Sequence, residues 1–192
     1  MNRAYYFPNF EHTRFRMNLQ KKIESHIRIV EGFPKEGISF KDFSGVFQNA
    51  ELSKEIIETF ADHVRGEIDL VCGIESRGFI FGFPIALALN VPFVMVRKEG
   101  KLPPPIVSAS YKLEYGEATL EIVEGQIPIG ARVLIHDDVL ATGGTAAACS
   151  ELVKKVGAIP ASYSFLVELD FLKGRSKIES DAEVFSLIHY QS

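Results

Sequence analysis

Arg132 to Val156 reads RVLIHDDVLATGGTAAACSELVKKV. It opens on a short apolar run, Val133-Leu134-Ile135, and two adjacent acids follow, Asp137 and Asp138. A turn of small residues comes next, Ala141-Thr142-Gly143-Gly144-Thr145. Ala146, Cys149, Val153 and Val156 then recur at three- and four-residue spacing, which makes one apolar helix face. The stretch reads as buried strand, loop and helix N-terminus.

That order suits an anion. The first turn of a helix has N–H groups without intrahelical partners, and the helix dipole is positive there. Gly143 and Gly144 have no side chains, so a phosphate can approach the backbone closely. Thr142 and Thr145 add hydroxyl donors. Asp137 and Asp138 would repel a phosphate. They suit hydroxyl groups or a divalent cation a few ångströms away. A phosphate at one end and hydroxyls at the other describe a ribose 5-phosphate. The plainer alternative is an ordinary strand-to-helix turn with Thr142 or Thr145 as the cap and both acids solvated. Against it, adjacent acids directly after a buried strand carry a desolvation cost that calls for a task.

The stretch has neither the Walker Lys-Ser/Thr pair nor the G-x-G-x-x-G pattern. It closely resembles the phosphoribosyl-pyrophosphate (PRPP) loop of type I phosphoribosyltransferases. The resemblance implies that Ala141, Thr142, Gly143, Gly144 and Thr145 bind the 5-phosphate, and that Asp137 and Asp138 hold the ribose hydroxyls or order a metal shell.

The rest of the chain bounds the possibilities. With 192 residues, 46% of them hydrophobic, the chain can bury a sizeable core in one domain. A net charge of −4 argues against a general nucleic-acid-binding surface. No apolar run approaches the ~18 residues that span a bilayer, and the N-terminus lacks a secretory h-region. Cys72 and Cys149 both sit in apolar patterns. They read as buried free thiols in a reducing, cytoplasmic compartment rather than as a disulfide or metal pair. Residues 1–16 show no helical or alternating period and read as an N-terminal extension or a stretch upstream of a start at Met17, the alternative being an ordered arm that packs its Tyr and Phe residues on a neighbour; 17–192 reads as a single domain.

From Met17 a helical pattern runs over Leu19–Val30. Phe33 to Asp42 is a loop built around Pro34 and Gly37. Asn49 caps a helix over Ala50–Arg65, with Leu52, Ile56, Ile57, Phe60 and Val64 on its apolar face. Strands follow at Asp69–Gly73 and Phe93–Arg97, separated by a helix over Phe79–Leu89. Val107–Tyr115 and Ala118–Val123 form a hairpin around Gly116. A hairpin of this length inside an α/β domain is most often an edge excursion or a lid. Late strands fall at Ser162–Leu169 and Glu183–His189. This alternation predicts an α/β fold, a central and mostly parallel sheet with helices on both faces. To it are added a flexible hairpin lid and a small N-terminal hood. Glu75–Arg77, Arg97–Lys101 and Asp137–Thr145 all fall at strand C-terminal ends, where such sheets bind ligands, and are expected to converge.

A closer resemblance spans roughly Ile27 to the C-terminus. GFPKEGISFKDFSGVF, IESRGFIFG, VRKEGKLP, SYKLEYG and TLEI are similar, in order and spacing, to motifs of adenine phosphoribosyltransferases. That resemblance implies transfer of phosphoribose from PRPP to adenine, giving AMP and pyrophosphate. It places Ser39, Phe40 and Lys41 at the purine, and Ser76, Arg77, Arg97, Lys98 and Lys101 at the pyrophosphate. It makes Ala109–Gly116 the catalytic loop that brings Glu114 and Tyr115 over the site, Glu114 managing the purine proton. Glu75–Gly78 becomes a loop with a non-proline cis peptide. Mg2+ is implied, held mainly by PRPP and water with no direct protein ligand, and so is a homodimer. Lys41 stands where many relatives have Arg, and Ser39 where an aliphatic residue is usual. His136 replaces the usual aliphatic residue before the acids and is expected to pack or hydrogen-bond locally. Two alternatives are a phosphoribosyltransferase for a 6-oxo purine and a non-catalytic PRPP-sensing regulator.

Overall fold

The computed structural model describes residues 18–33, 35–37, 39–112, 117–178 and 181–192. The chain divides into two compact units, Met1–Ile56 and Ile57–Ser192. The extension expected over 1–16 lies outside the described residues.

The first unit holds a helical stretch over 18–24 (α1) and an antiparallel hairpin of β1 (Arg28–Glu31) and β2 (Ser39–Asp42). A short helix follows, α2 (Ser44–Phe47). The helix expected to reach Val30 therefore stops early. Leu19, Ile23, Ile27 and Val30 recur at helical spacing, but Ile27, Ile29 and Val30 are β-branched and favour a pleated strand. The Ser25 hydroxyl donates to the Lys22 carbonyl at 2.8 Å, and His26 Nδ1 lies 2.8 Å from the same oxygen, satisfying a helix-end acceptor. The expected loop over Phe33–Asp42 likewise ends in β2. α3 (Ala50–Val64) begins under the expected cap, with the Leu52 N–H donating to Asn49 Oδ1 at 3.1 Å.

The second unit is built on seven strands: β3 (Leu70–Ile74), β4 (Phe93–Lys98), β5 (Ile106–Lys112), β6 (Glu117–Val123), β7 (Arg132–Leu140), β8 (Ile159–Leu169) and β9 (Glu183–Tyr190). Their order is β5-β6-β4-β3-β7-β8-β9. β4, β3, β7, β8 and β9 run parallel, and the β5–β6 hairpin is antiparallel at one edge. The mostly parallel sheet with a hairpin excursion is the expected fold.

Alternation along the strands decides which helix covers which face. Leu70, Cys72, Ile74, Val133 and Ile135 point one way and pack with Ala146, Cys149, Leu152 and Val153 of α5 (Gly144–Lys155). Gly73 and His136, register partners on β3 and β7, point the other way, toward α4 (Gly78–Leu89). Both cysteines are free and buried, as expected, and burial pushes the Cys72 thiol up to about 12. No helix among the described residues is long and apolar enough to cross a membrane.

Candidate active site

β3 lies between β4 and β7. Chain leaving β3 crosses to β4, whereas β7 adds on the other side, so the strand order reverses here. The three segments expected to meet lead off the C-terminal ends of these strands, and they do meet. Arg77, just past β3, places Nε 2.9 Å from Asp138 Oδ2 on β7. Arg97, at the end of β4, donates from Nε to Glu75 Oε2 at 3.1 Å.

One boundary differs from expectation. β7 runs on to Leu140, so Asp137 and Asp138 sit within the strand rather than after it. Sheet pairing continues through them, with Asp137 opposite Phe165 and Val139 opposite Val167. The apolar run ends at Ile135, but the ladder does not need an apolar side chain to continue. The consequence is electrostatic. Asp138 is only 3% exposed. Burial raises the Asp137 carboxyl well above its ordinary value, and the neighbouring Asp138 charge adds to the rise. Burial also raises Asp138, while the Arg77 guanidinium opposes it. Two adjacent carboxyls with one nearby cation resist carrying two negative charges. Asp138 is the member beside the Arg77 guanidinium, which favours its charged form.

A glycine makes this approach possible. A Cβ on Gly78 would lie 2.8 Å from the His136 carbonyl oxygen and 3.1 Å from Asp137 Oδ1. The N-terminus of α4 therefore reaches the acids only because residue 78 has no side chain. The Glu75–Ser76 peptide just before it is cis, as the resemblance implied.

Glu75 organises the basic side of the site. Burial alone would raise its carboxyl. The Lys98 N–H, donating at 3.0 Å, and the Arg97 guanidinium outweigh that and hold it below its ordinary value. Lys98 and Lys101 are exposed and joined through a turn in which the Lys101 N–H donates to the Lys98 carbonyl at 3.3 Å. Buried Glu121 on β6 accepts from the Gly100 N–H at 3.0 Å and fixes the same turn. Sequence reasoning assigned no role to Glu75 or Glu121. Both lie in motifs that carry the resemblance, IESRGFIFG and TLEI, but the part each plays, holding basic residues or the turn between them, shows only in the contacts.

After β7, the turn Ala141–Gly143 leads into α5. Gly143 is left-handed at φ 76°, and no side chain caps the helix. The first turn of α5 contains no acid, so the helix N-terminus offers positive potential without local opposition. Thr142 is exposed. Thr145 Oγ1 donates to the Tyr111 hydroxyl on β5 at 3.4 Å.

His136 is fully buried. Its Nδ1 lies 2.8 Å from Ser164 Oγ, and burial pushes it down to about 3, so it is neutral and plays the expected local packing part.

The purine-contact candidates lie on β2 of the first unit. Ser39 Oγ donates to Glu31 Oε1 at 2.9 Å and accepts from Lys41 Nζ at 3.0 Å. The Phe40 and Phe33 rings meet edge to face with centroids 5.2 Å apart. Glu114 and Tyr115 lie outside the described residues.

Comparison with known proteins agrees with this geometry. Residues 44–189 match the family model described as phosphoribosyl transferase domain. The chain is 51% identical over 170 residues to the adenine phosphoribosyltransferase of Flavobacterium johnsoniae, covering 88% of this chain and 99% of that one. It is 49% identical to that of Candida albicans, covering 88% and 89%. Among solved structures, it superposes with a TM-score of 0.85 and 45% identity on adenine phosphoribosyltransferase from Saccharomyces cerevisiae. That protein was crystallised with adenine and D-2,5-dideoxy-2,5-imino-altritol 1,6-bisphosphate, and the match covers 89% of this chain and 99% of that chain. An acid pair on a parallel strand, leading through a glycine turn into an uncapped helix, thus occurs in a chain that belongs to the adenine phosphoribosyltransferase family.

Proposed function

We propose that the protein converts adenine and PRPP to AMP and pyrophosphate. The observation that carries this reading is the β7–α5 junction. A buried carboxyl pair contacted by Arg77 stands one short turn before an uncapped helix N-terminus that begins at Gly143. The helix N-terminus takes the 5-phosphate through backbone N–H groups and the Thr142 and Thr145 hydroxyls. Asp137 and Asp138 accept hydrogen bonds from the ribose hydroxyls. Breaking the C1–pyrophosphate bond makes the ribose oxocarbenium-like and builds charge on the leaving group, so fixed cations there lower the barrier. Ser76, Arg77, Arg97, Lys98 and Lys101 are assigned to that end.

The acid pair also fits Mg2+. Its negative charge is opposed by one guanidinium, and both carboxyls are raised by burial, a state that a divalent cation relieves. Bound with PRPP, Mg2+ would supply positive charge at the pyrophosphate, and Asp137 and Asp138 are the residues that would hold it, through its water shell.

Ser39, Phe40 and Lys41 are assigned to the purine. A backbone carbonyl acceptor for the 6-amino group separates adenine from a 6-oxo purine. Glu114 and Tyr115 belong to the closing loop, with Glu114 handling the purine proton. We treat 17–192 as one transferase domain, because α3 runs unbroken across the boundary at Ile56. A homodimer is supported by Ile80, Phe83 and Leu87, exposed apolar residues at helical spacing on α4, and by exposed Met95 on β4. The two free buried thiols agree with a cytoplasmic setting.

The test is a PRPP-dependent assay with adenine, hypoxanthine, guanine and xanthine side by side. Adenine-dependent release of pyrophosphate is expected. Turnover of a 6-oxo purine in preference to adenine, or of no base, would overturn the reading.

A further inference from the structure

The short turns after β8 are Asp170–Leu172 and Gly174–Lys177. The second presses against the phosphate turn backbone to backbone, at Gly174. A Cβ on Gly174 would fall 2.2 Å from the Ala141 carbonyl oxygen and 3.0 Å from the Gly143 nitrogen. A Cβ on Gly143 would fall 2.2 Å from the Gly174 carbonyl oxygen. The closest approach is backbone to backbone, with only the end of the Leu140 side chain beside it, so the position of Gly174 bears directly on the amides that lead into α5.

What places Gly174 is the residue beside it. Arg175 Nε and Nη2 donate to the two oxygens of Glu168 at 2.7 Å each, a bidentate fork. Arg175 Nη1 donates to the Val184 carbonyl on β9 at 2.9 Å. Ser186 on β9 donates to Glu168 Oε2 at 2.7 Å. Glu168 is buried, and its register partner on β7 is Leu140, the residue from which the phosphate turn springs. The pair therefore ties the turn at Gly174 to the same strand edge that launches Ala141. Carboxylate oxygens of Glu168 and Asp170 and a ring nitrogen of His189 lie within 4.8 Å of one another, a metal-like spacing. The guanidinium already neutralises Glu168, so the cluster reads as a clamp.

We propose that Glu168 and Arg175 are positioning residues for PRPP, setting through Gly174 the aim of the Ala141–Gly143 backbone at the 5-phosphate. Neither touches substrate. The planar fork matters more than the charge, because a lysine keeps the charge but makes only a point contact. This rests on the reading of Ala141–Thr145 as the 5-phosphate site.

The test compares Arg175→Lys, Arg175→Ala and Gly174→Ala with the wild type, using PRPP calorimetry without base, steady-state constants for both substrates and thermal melts. For Arg175→Lys, the expected result is a melt near wild type, a KM for PRPP raised about tenfold and a KM for adenine within about twofold of wild type. Arg175→Ala and Gly174→Ala weaken PRPP further, and Lys at 175 recovers part of what Ala loses. Wild-type PRPP affinity in folded Arg175→Lys and Arg175→Ala would overturn the proposal. So would losses that fall equally on PRPP and adenine. PRPP affinity left unchanged by Thr142→Ala and Thr145→Ala together, in a chain otherwise wild type, would instead sink the underlying site reading.

Discussion

The acid pair on β7 and the Ser39–Lys41 strand are both assigned to substrate, yet they are built in opposite ways. Asp137 and Asp138 lie inside a parallel sheet, raised by burial, with Arg77 as the adjoining cation. Ser39 and Lys41 lie on a two-stranded hairpin, where the lysine bonds the serine and the serine bonds Glu31. One region holds carboxyls at a desolvation cost that the single Arg77 guanidinium relieves at Asp138. The other strings Lys41, Ser39 and Glu31 into a chain of hydrogen bonds on an exposed hairpin.

Three substitutions test that contrast. The largest effect is expected at Asp138. Asp138→Asn keeps the shape, removes one of two crowded carboxyls and releases an exposed Arg77 to solvent, so the fold should survive. Turnover should fall about a hundredfold, as expected when a positioning contact to the reacting sugar is lost. Unchanged turnover would remove Asp138 from the site.

A smaller and more selective effect is expected at Lys41. Lys41→Ala should raise the KM for adenine about fivefold to tenfold, in line with losing one hydrogen bond, while the KM for PRPP stays put. If both constants moved together, the two regions would not be functionally separate.

The smallest effect is on stability. Asp137 has a folded value raised above its unfolded value near 3.8. Below that pH both states hold the proton. As pH rises, the unfolded chain loses it first, so the contribution to stability is lost until pH passes the folded value. Melting of the ligand-free protein should therefore fall with pH above about 4 more steeply than in Asp137→Asn. Parallel melting profiles for the two proteins would mean that Asp137 is not held raised by burial.

How much of this could be read from the residues depended on whether the signal was local. The β7–α5 junction was legible because strand, acids, glycine turn and helix face follow one another within 25 residues. The Asn49 cap and the buried thiols were legible for the same reason. Leu19 to Val30 misled because its apolar residues fit the helical period while its β-branched ones prefer a strand. The acids misled more mildly. A charged pair suggested the end of the strand, but backbone pairing with β8 carries β7 past it. Gly174, Glu168 and Arg175 read only as a polar connection and a strand residue. Their meaning comes from a contact with Gly143, about thirty residues away, that no local period encodes.

The most direct test is calorimetric titration of PRPP, without base, into wild type, Asp138→Asn and Lys41→Ala. Wild type and Lys41→Ala should bind alike, and Asp138→Asn should lose most of its affinity. PRPP binding that survives Asp138→Asn intact, or that fails in Lys41→Ala, would contradict the assignment of the cosubstrate to the sheet and the base to the hairpin.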